Sequence, residues 1–268
     1  MDNYLLKCDN VCYVYHTLQG EIPAIDHLSF AVRQGEFVSI VGPSGCGKST
    51  LLNLLTGLLC PEQGSIVRCD ERRNNADFYG YMLQQDQLFE WYTIWENVTL
   101  GLRINHNLTD EKRQYIEALL EKYQLLPFKD NKPSSLSGGM RQRAALIRTL
   151  AMEPELLILD EPFSALDYQS RLSVADDIGQ IIRQENKTAI LVTHDIGEAI
   201  SLSSRVLILS KRPAHLIKEV SLPFRERNLS PLAIRHQKDF SDYFNLIWKE
   251  LNDSHVSYTS QKANDLHA

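Results

Sequence analysis

The chain has no apolar run long enough to cross a bilayer. Its longest stretches, such as Leu156-Leu157-Ile158-Leu159, fall far short of the roughly twenty residues that a helical span needs. No signal-peptide pattern opens the chain, because Asp2 and Asn3 precede only a short apolar pair. These absences lead to the expectation of a cytoplasmic protein. Cysteines are few: Cys8, Cys12, Cys46, Cys60 and Cys69. Their odd number and lack of a paired framework suit a reducing compartment. Cys8 and Cys12 lack C-x-x-C spacing, so no zinc site is expected of them. There is no excess of basic charge either. Lys and Arg total 28 against 34 Asp and Glu, a formal net charge of −6. That balance argues against a dedicated nucleic-acid binder, which would usually show a basic face. At 268 residues the chain can bury a full core, as one large domain or as a domain with a tail.

One segment dominates what is present: Gly42-Pro43-Ser44-Gly45-Cys46-Gly47-Lys48-Ser49-Thr50. It matches the phosphate-binding pattern G-x-x-x-x-G-K-[ST]. Upstream, Glu36 to Val41 is short, apolar and β-branched, which predicts a buried strand. Downstream, Leu51 to Leu55 followed by Gly57 predicts a helix and its stop. Glycines there let backbone N–H groups point at phosphate oxygens. The helix start adds unpaired donors and the positive end of its dipole. Lys48 can reach the β- and γ-phosphates of a nucleotide, and the Ser49 hydroxyl can ligate Mg²⁺. Cys46 lies inside this loop, so a thiol reagent there is expected to block nucleotide binding.

Along the rest of the chain, strands are read at Leu5 to Tyr15, Ile25 to Val32, Ser65 to Cys69, Leu156 to Leu159, Ala189 to Thr193 and Val206 to Ser210. Arg33-Gln34-Gly35 is read as a turn, and Cys60 to Gly64 and Arg72 to Asn75 as loops. Thr109 is the expected N-cap of a helix whose apolar face is Ile116, Leu119, Leu120 and Tyr123. Further helices are expected from about Met140 to Met152, along the stripe Val174, Ala175, Ile178, Ile181 and Ile182, and after Thr193. Strands alternating with helices predict an α/β core with a largely parallel sheet. Phe240, Tyr243, Phe244, Ile247, Trp248 and Leu251 recur at helical spacing. They predict an amphipathic C-terminal helix that packs back on the domain, or else meets a partner, with a frayed polar end after Asn252.

Two more signals sharpen the phosphate loop. Leu156 to Leu159 ends in Asp160-Glu161, an apolar strand delivering two acids. After a phosphate loop, Asp160 is a candidate Mg²⁺ ligand and Glu161 a candidate to polarise the attacking water. Leu136-Ser137-Gly138-Gly139-Met140-Arg141-Gln142-Arg143 then opens a helix at a second possible anion site.

Together these residues resemble the ATP-binding subunits of ABC transporters, whose signature is LSGGQ. The resemblance covers about residues 4–220 and departs at Met140, where Gln is usual. It implies a P-loop NTPase-type, mainly parallel sheet core, with an antiparallel β subdomain and a helical signature-motif subdomain. The ATPase domain would run over 1–225, with its helical subdomain at about 86–155. Residues 226–268 would form the C-terminal helix and polar tail. The resemblance also implies ATP and Mg²⁺ as ligands, ATP hydrolysis, and Ser137, Gly138 and Gly139 capping the γ-phosphate held by a second copy. It assigns Gln84, rather than its neighbour Gln85, to Mg²⁺ and the attacking water. Asp167, in Ser164-Ala165-Leu166-Asp167, would cross the dimer interface. His194 would touch the γ-phosphate. Tyr15 would stack on adenine, with Tyr13 as its rival.

The implied assembly is a homodimer at the cytoplasmic face of the membrane, held peripherally by integral permease subunits. An extracytoplasmic solute-binding protein would act indirectly, and no nucleic acid is involved. Leu88, Phe89, Trp91 and Tyr92 are expected to line the groove that receives the permease. Glu90 stands where similar chains often carry Pro. The run Leu88 to Val98 resembles the importer branch for nitrate, sulfonates, taurine and thiamine-pyrimidine precursors. The competing expectation is a non-transport ABC-type ATPase acting on DNA or the ribosome. Against it, the chain has one cassette and an ordinary interval between phosphate loop and signature.

Overall fold

A computed structural model describes residues 4–68, 78–224 and 229–265, with side chains described up to Asp253. Cys69 and the expected loop Arg72 to Asn75 lie outside the described residues. The first strands are β1 (Tyr4–Thr17), β2 (Gly20–Arg33), β3 (Phe37–Val41), β4 (Gln63–Arg68) and β5 (Tyr79–Met82). The later ones are β6 (Leu156–Asp160), β7 (Thr188–Val192), β8 (Arg205–Leu209) and β9 (Leu216–Ser221). The helices begin with α1 (Lys48–Leu55), α2 (Ile94–Val98), α3 (Leu100–Ile104) and α4 (Asp110–Lys122). They continue with α5 (Gly138–Leu150), α6 (Tyr168–Gln184), α7 (Ile196–Leu202), α8 (Pro231–Arg235) and α9 (Phe240–Asp265). The chain divides into two compact units, residues 1–72 with 188–268, and residues 73–187.

In the first unit β1 lies between β2 and β4, antiparallel to both. β3 runs parallel to β7 on one side and β8 on the other, and β9 returns antiparallel beside β8. Every residue of β3 and β7 is buried. That is why both read as unbroken apolar runs, as strands covered on both faces do. β2 instead alternates from Leu28 to Val32, as a sheet with one wet face requires. The turn after Arg33 therefore carries the chain from one sheet into another. Arg205 ties the ends together: its Nε donates to Glu36 Oε1 at 3.0 Å and its Nη1 to Glu219 Oε2 at 2.7 Å.

The C-terminal stripe packs on its own unit. Ile247 is fully buried in a cluster with Ile196, Ile200, Val206 and Phe224, flanked by Phe240, Tyr243, Phe244 and Leu251. Only Trp248, at 55 % exposure, stays largely outside. The helical backbone continues past Asn252 to Asp265.

In the second unit β5 pairs parallel with β6, Tyr79 opposite Leu156. α5 packs so tightly on β5 that a Cβ at Gly80 would come within 2.6 Å of Thr149. α4 buries Ile116, Leu119 and Leu120, as its spacing predicts, and Thr109 caps it by accepting from the Lys112 N–H. β5, β9, α2, α3 and α8 escape the sequence reading. Each is short, below the window in which periodicity separates helix from strand.

Candidate nucleotide site

The phosphate loop leaves β3 at Val41 and enters α1 at Lys48. Gly45 (φ 72°) and Gly47 (φ 124°) hold left-handed backbone. At Gly47 a Cβ would also sit 2.8 Å from the Ala24 carbonyl oxygen, so only glycine fits. No side chain caps the start of α1, and its first turn carries no acid. The donors of that turn remain available to an anion. Lys48 is 8 % exposed, and its Nζ donates to the carbonyls of Gly42 (2.8 Å) and Pro43 (3.0 Å). The ammonium thus lies across the loop beside the open helix start. A buried cation and open amides form a donor set that fits phosphate oxygens. Ser49 is exposed beside them.

Cys46 is buried, its Sγ only 3.0 Å from where a Cβ on Gly42 would stand. Burial pushes its thiol up, with the Lys48 charge opposing. Tyr15 is half-buried, and its hydroxyl pairs with Thr50 Oγ1 at 3.1 Å. Tyr13 meets Tyr15 edge-on, ring centres 5.0 Å apart, and the Arg212 guanidinium lies 5.9 Å from the Tyr15 ring centre. Of the two rivals, it is Tyr15 that bonds to the phosphate-loop helix.

His194 follows β7 and is exposed. Its neighbours are fixed. Thr193 Oγ1 donates to the buried Glu198 carboxylate at 2.6 Å and accepts from the Asp195 N–H at 3.0 Å. Asp195 Oδ1 in turn caps α7 by accepting from the Glu198 N–H.

In the second unit the end of β6 presents Asp160 and Glu161. The Tyr81 hydroxyl donates to Asp160 Oδ2 at 3.1 Å. Burial first, then that carboxylate, push the Tyr81 phenol well up, so it stays a donor. Glu161 adopts left-handed backbone at φ 46°. Its carbonyl accepts from both the Ser164 N–H (3.1 Å) and the Ser164 Oγ (2.9 Å). Non-glycine residues in this conformation cost of order 1–3 kcal/mol and cluster at functional sites.

α5 starts two residues earlier than its apolar pattern suggests, because Ser137 caps it by accepting from the Met140 N–H at 3.4 Å. Ser137 and Gly138 are exposed. A Cβ on Gly138 would stand 3.0 Å from Leu166, and one on Gly139 2.7 Å from Val174. Asp167 is exposed and caps α6, accepting from the Gln169 and Ser170 N–H groups at 3.1 Å. Hydrogen bonding from Ser170 holds its carboxyl below the usual range.

Gln84 is exposed, whereas the Gln85 Oε1 accepts from the Gln87 amide at 3.3 Å. The following segment is fastened to α5. Arg141 donates from Nε to Asp86 Oδ2 at 2.8 Å and from Nη2 to Oδ1 at 3.1 Å. Arg148 donates to the Asp86 and Gln87 carbonyls, both at 2.7 Å. Glu90 joins in, its Oε1 lying 2.7 Å from Arg141 Nη1. A proline could not make that contact. Sequence reading missed these arginines, although their seven-residue spacing puts both on one helix face.

Phe89 and Trp91 are exposed, their rings tilted at 45° with centres 5.0 Å apart, and Tyr92 lies beside Phe89 at 5.9 Å. Leu88 departs from expectation: it is 6 % exposed and belongs to the core, not to a groove. The buried Asn97 fixes this loop by accepting from the Phe89 N–H (2.7 Å) and donating to the Phe89 and Thr93 carbonyls. Thr93 and Glu96 close a reciprocal capping box at the start of α2.

An open phosphate loop, a strand ending in Asp-Glu and a serine-capped Gly-Gly helix define the class of nucleoside triphosphatases that carries all three. A family model described as ABC transporter matches residues 25–164. An uncharacterized ABC transporter ATP-binding protein of Bacillus subtilis, YtlC, is 43 % identical over 92 % of this chain and 95 % of its own. The nitrate transport protein NasD of Klebsiella oxytoca is 38 % identical over 85 % of this chain and 90 % of its own. Among solved structures, the dimeric ATP-binding cassette MJ0796 in a post-hydrolysis state with ADP and Pi is 31 % identical. It superposes with a TM-score of 0.67, covering 81 % of this chain and 98 % of that one. This chain belongs to the ABC transporter family and carries its ATPase cassette. Among the described residues no helix is long and apolar enough to cross a membrane.

Proposed function

We propose that the chain is the ATP-hydrolysing subunit of an importer, energising uptake of a small solute through a separate permease. Two copies act as a homodimer on the cytoplasmic face, and an extracytoplasmic binding protein delivers the cargo. Likeness to NasD, a nitrate transport protein, supports the importer branch and favours a small anion as cargo.

The chemistry follows from the side chains. Lys48 exchanges the Gly42 and Pro43 carbonyls for phosphate oxygens, while amides from Gly42 to Thr50 cradle the β-phosphate. Ser49, Asp160 and Gln84 are all hard oxygen donors, the set that Mg²⁺ prefers. Bound there, Mg²⁺ would neutralise charge on the β- and γ-phosphates. Glu161 takes the proton of the attacking water, and the Ser164 bonds hold its turn. His194 donates to the γ-phosphate. Tyr15 stacks on adenine. Ser137, Gly138 and Gly139 of the second copy cap the γ-phosphate from across the dimer, with Asp167 at the crossing.

The observation that carries this reading is the uncapped start of α1 with Lys48 lying across its loop. Its test is sedimentation of E161Q with ATP, expected to give a stable dimer, followed by co-purification from membranes with a polytopic permease. A strictly monomeric ATP-loaded E161Q, alone and in membranes, would overturn it.

A further inference from the structure

A second cluster of ligating groups lies in the antiparallel sheet of the first unit, among residues that carry none of the roles assigned above. Cys12 on β1 faces Asp26 and His27 on β2. One ligand atom from each lies within 4.8 Å of the others. His27 Nε2 and Asp26 Oδ1 are 3.7 Å apart. Tetrahedral coordination at zinc bond lengths of about 2.0–2.3 Å separates ligand atoms by about 3.3–3.8 Å. The His-Asp pair therefore already has the spacing. Both side chains are more than half exposed, so they can close toward the sulfur.

The surroundings orient these groups. His27 Nδ1 lies 2.8 Å from Asn10 Oδ1, an acceptor only. In the tautomer protonated at Nδ1, which can donate to that oxygen, the Nε2 lone pair faces Asp26 and Cys12. Metal-bound histidines are held in this way by a partner on the other ring nitrogen. The His27 backbone N–H donates to Cys12 Sγ at 3.2 Å, which fixes the sulfur beside the imidazole. Asn10 and His27 both hold left-handed backbone, φ 52° and 46°. Asn10 cannot drift: its N–H donates to Ser29 Oγ at 2.8 Å, and its carbonyl lies 2.2 Å from where a Cβ on Gly64 would be. Only glycine leaves room for it there.

We infer that Cys12, Asp26 and His27 form a site for a late first-row divalent cation, Zn²⁺ by its sulfur, nitrogen and carboxylate donors, with water in the fourth position. Asn10 is a positioning residue. Binding expels the thiol proton to solvent, leaving thiolate on the ion.

The test uses the intact, nucleotide-free protein with Mg²⁺ in excess. Zn²⁺ is titrated against a chromophoric chelator, and Co²⁺ serves as the spectroscopic probe. The expected result is one high-affinity ion per chain and a thiolate-to-cobalt charge-transfer band. C12S should abolish that band. H27A and C12S should each weaken Zn²⁺ by more than about tenfold, and N10A by roughly 10–100-fold. C60S should change nothing. ATP binding by the same variants, which lie outside the nucleotide machinery, reports that they are folded. A cobalt complex without the band, or Zn²⁺ affinity unchanged in folded C12S and H27A, overturns the site while leaving the ATPase reading intact.

Discussion

The Tyr15 hydroxyl is bonded to Thr50 Oγ1 at 3.1 Å, which ties the aromatic candidate for adenine to the first turn of the phosphate-loop helix. If Tyr15 stacks on adenine as proposed, base and phosphate recognition share one mechanical element. Y15A is expected to raise the ATP KM by roughly 2–10-fold, as loss of an aromatic contact worth about 0.5–1.5 kcal/mol implies. Y13A should leave it within error. Steady-state kinetics on the two variants checks the choice between the tyrosines.

Lys48 and Glu161 should fail differently. K48A removes charge-assisted bonds worth about 1.5–3 kcal/mol each, so it should lose nucleotide affinity in a fluorescent-ATP titration. E161Q should bind ATP normally and lose on the order of 10²–10⁴ in turnover. Equal affinity in K48A and wild type would remove that lysine from its role.

Burial changes what can be expected of Cys46. The thiolate is the reactive form, and burial disfavours it. Exposed Cys60 should therefore react first with a maleimide, and Cys46 more than about tenfold slower. Mass spectrometry of a timed reaction gives the order. Once Cys46 is modified, ATP binding should be lost, because no room exists beneath Gly42.

Asp86 gives a pH signature. Burial alone would raise its carboxyl, but the hydrogen bonds and charge of Arg141 outweigh it and hold the group below the usual range. A depressed carboxyl stabilises the fold above its unfolded value of about 3.9 and loses that contribution as pH falls through the folded one. D86N should cost about 1.5–3 kcal/mol at neutral pH. The gap from wild type should close in acid. Urea denaturation across that range measures it.

The buried parallel strands β3, β6 and β7 were legible because full burial writes an unbroken apolar run. The phosphate loop was legible because its glycines and lysine are local in sequence. β5 was not, since Tyr79 and Tyr81 are half-buried and only four residues pair. Leu88 was misread as groove; its N–H donates to Asp86, which is itself held by Arg141 far along the chain, a long-range contact that local sequence does not display. The cysteine spacing gave no hint of a metal site. Cys12 meets its partners across a hairpin, where linear spacing carries no information.

Arg141 divides its guanidinium between Asp86 and Glu90, which flank the stretch running up to the exposed aromatics. A force applied at Trp91 would reach the start of α5 through an ionic pivot as well as through the buried Leu88. The half-exposed Glu90 arm of that pivot should weaken with rising salt, while the sheltered Asp86 arm holds.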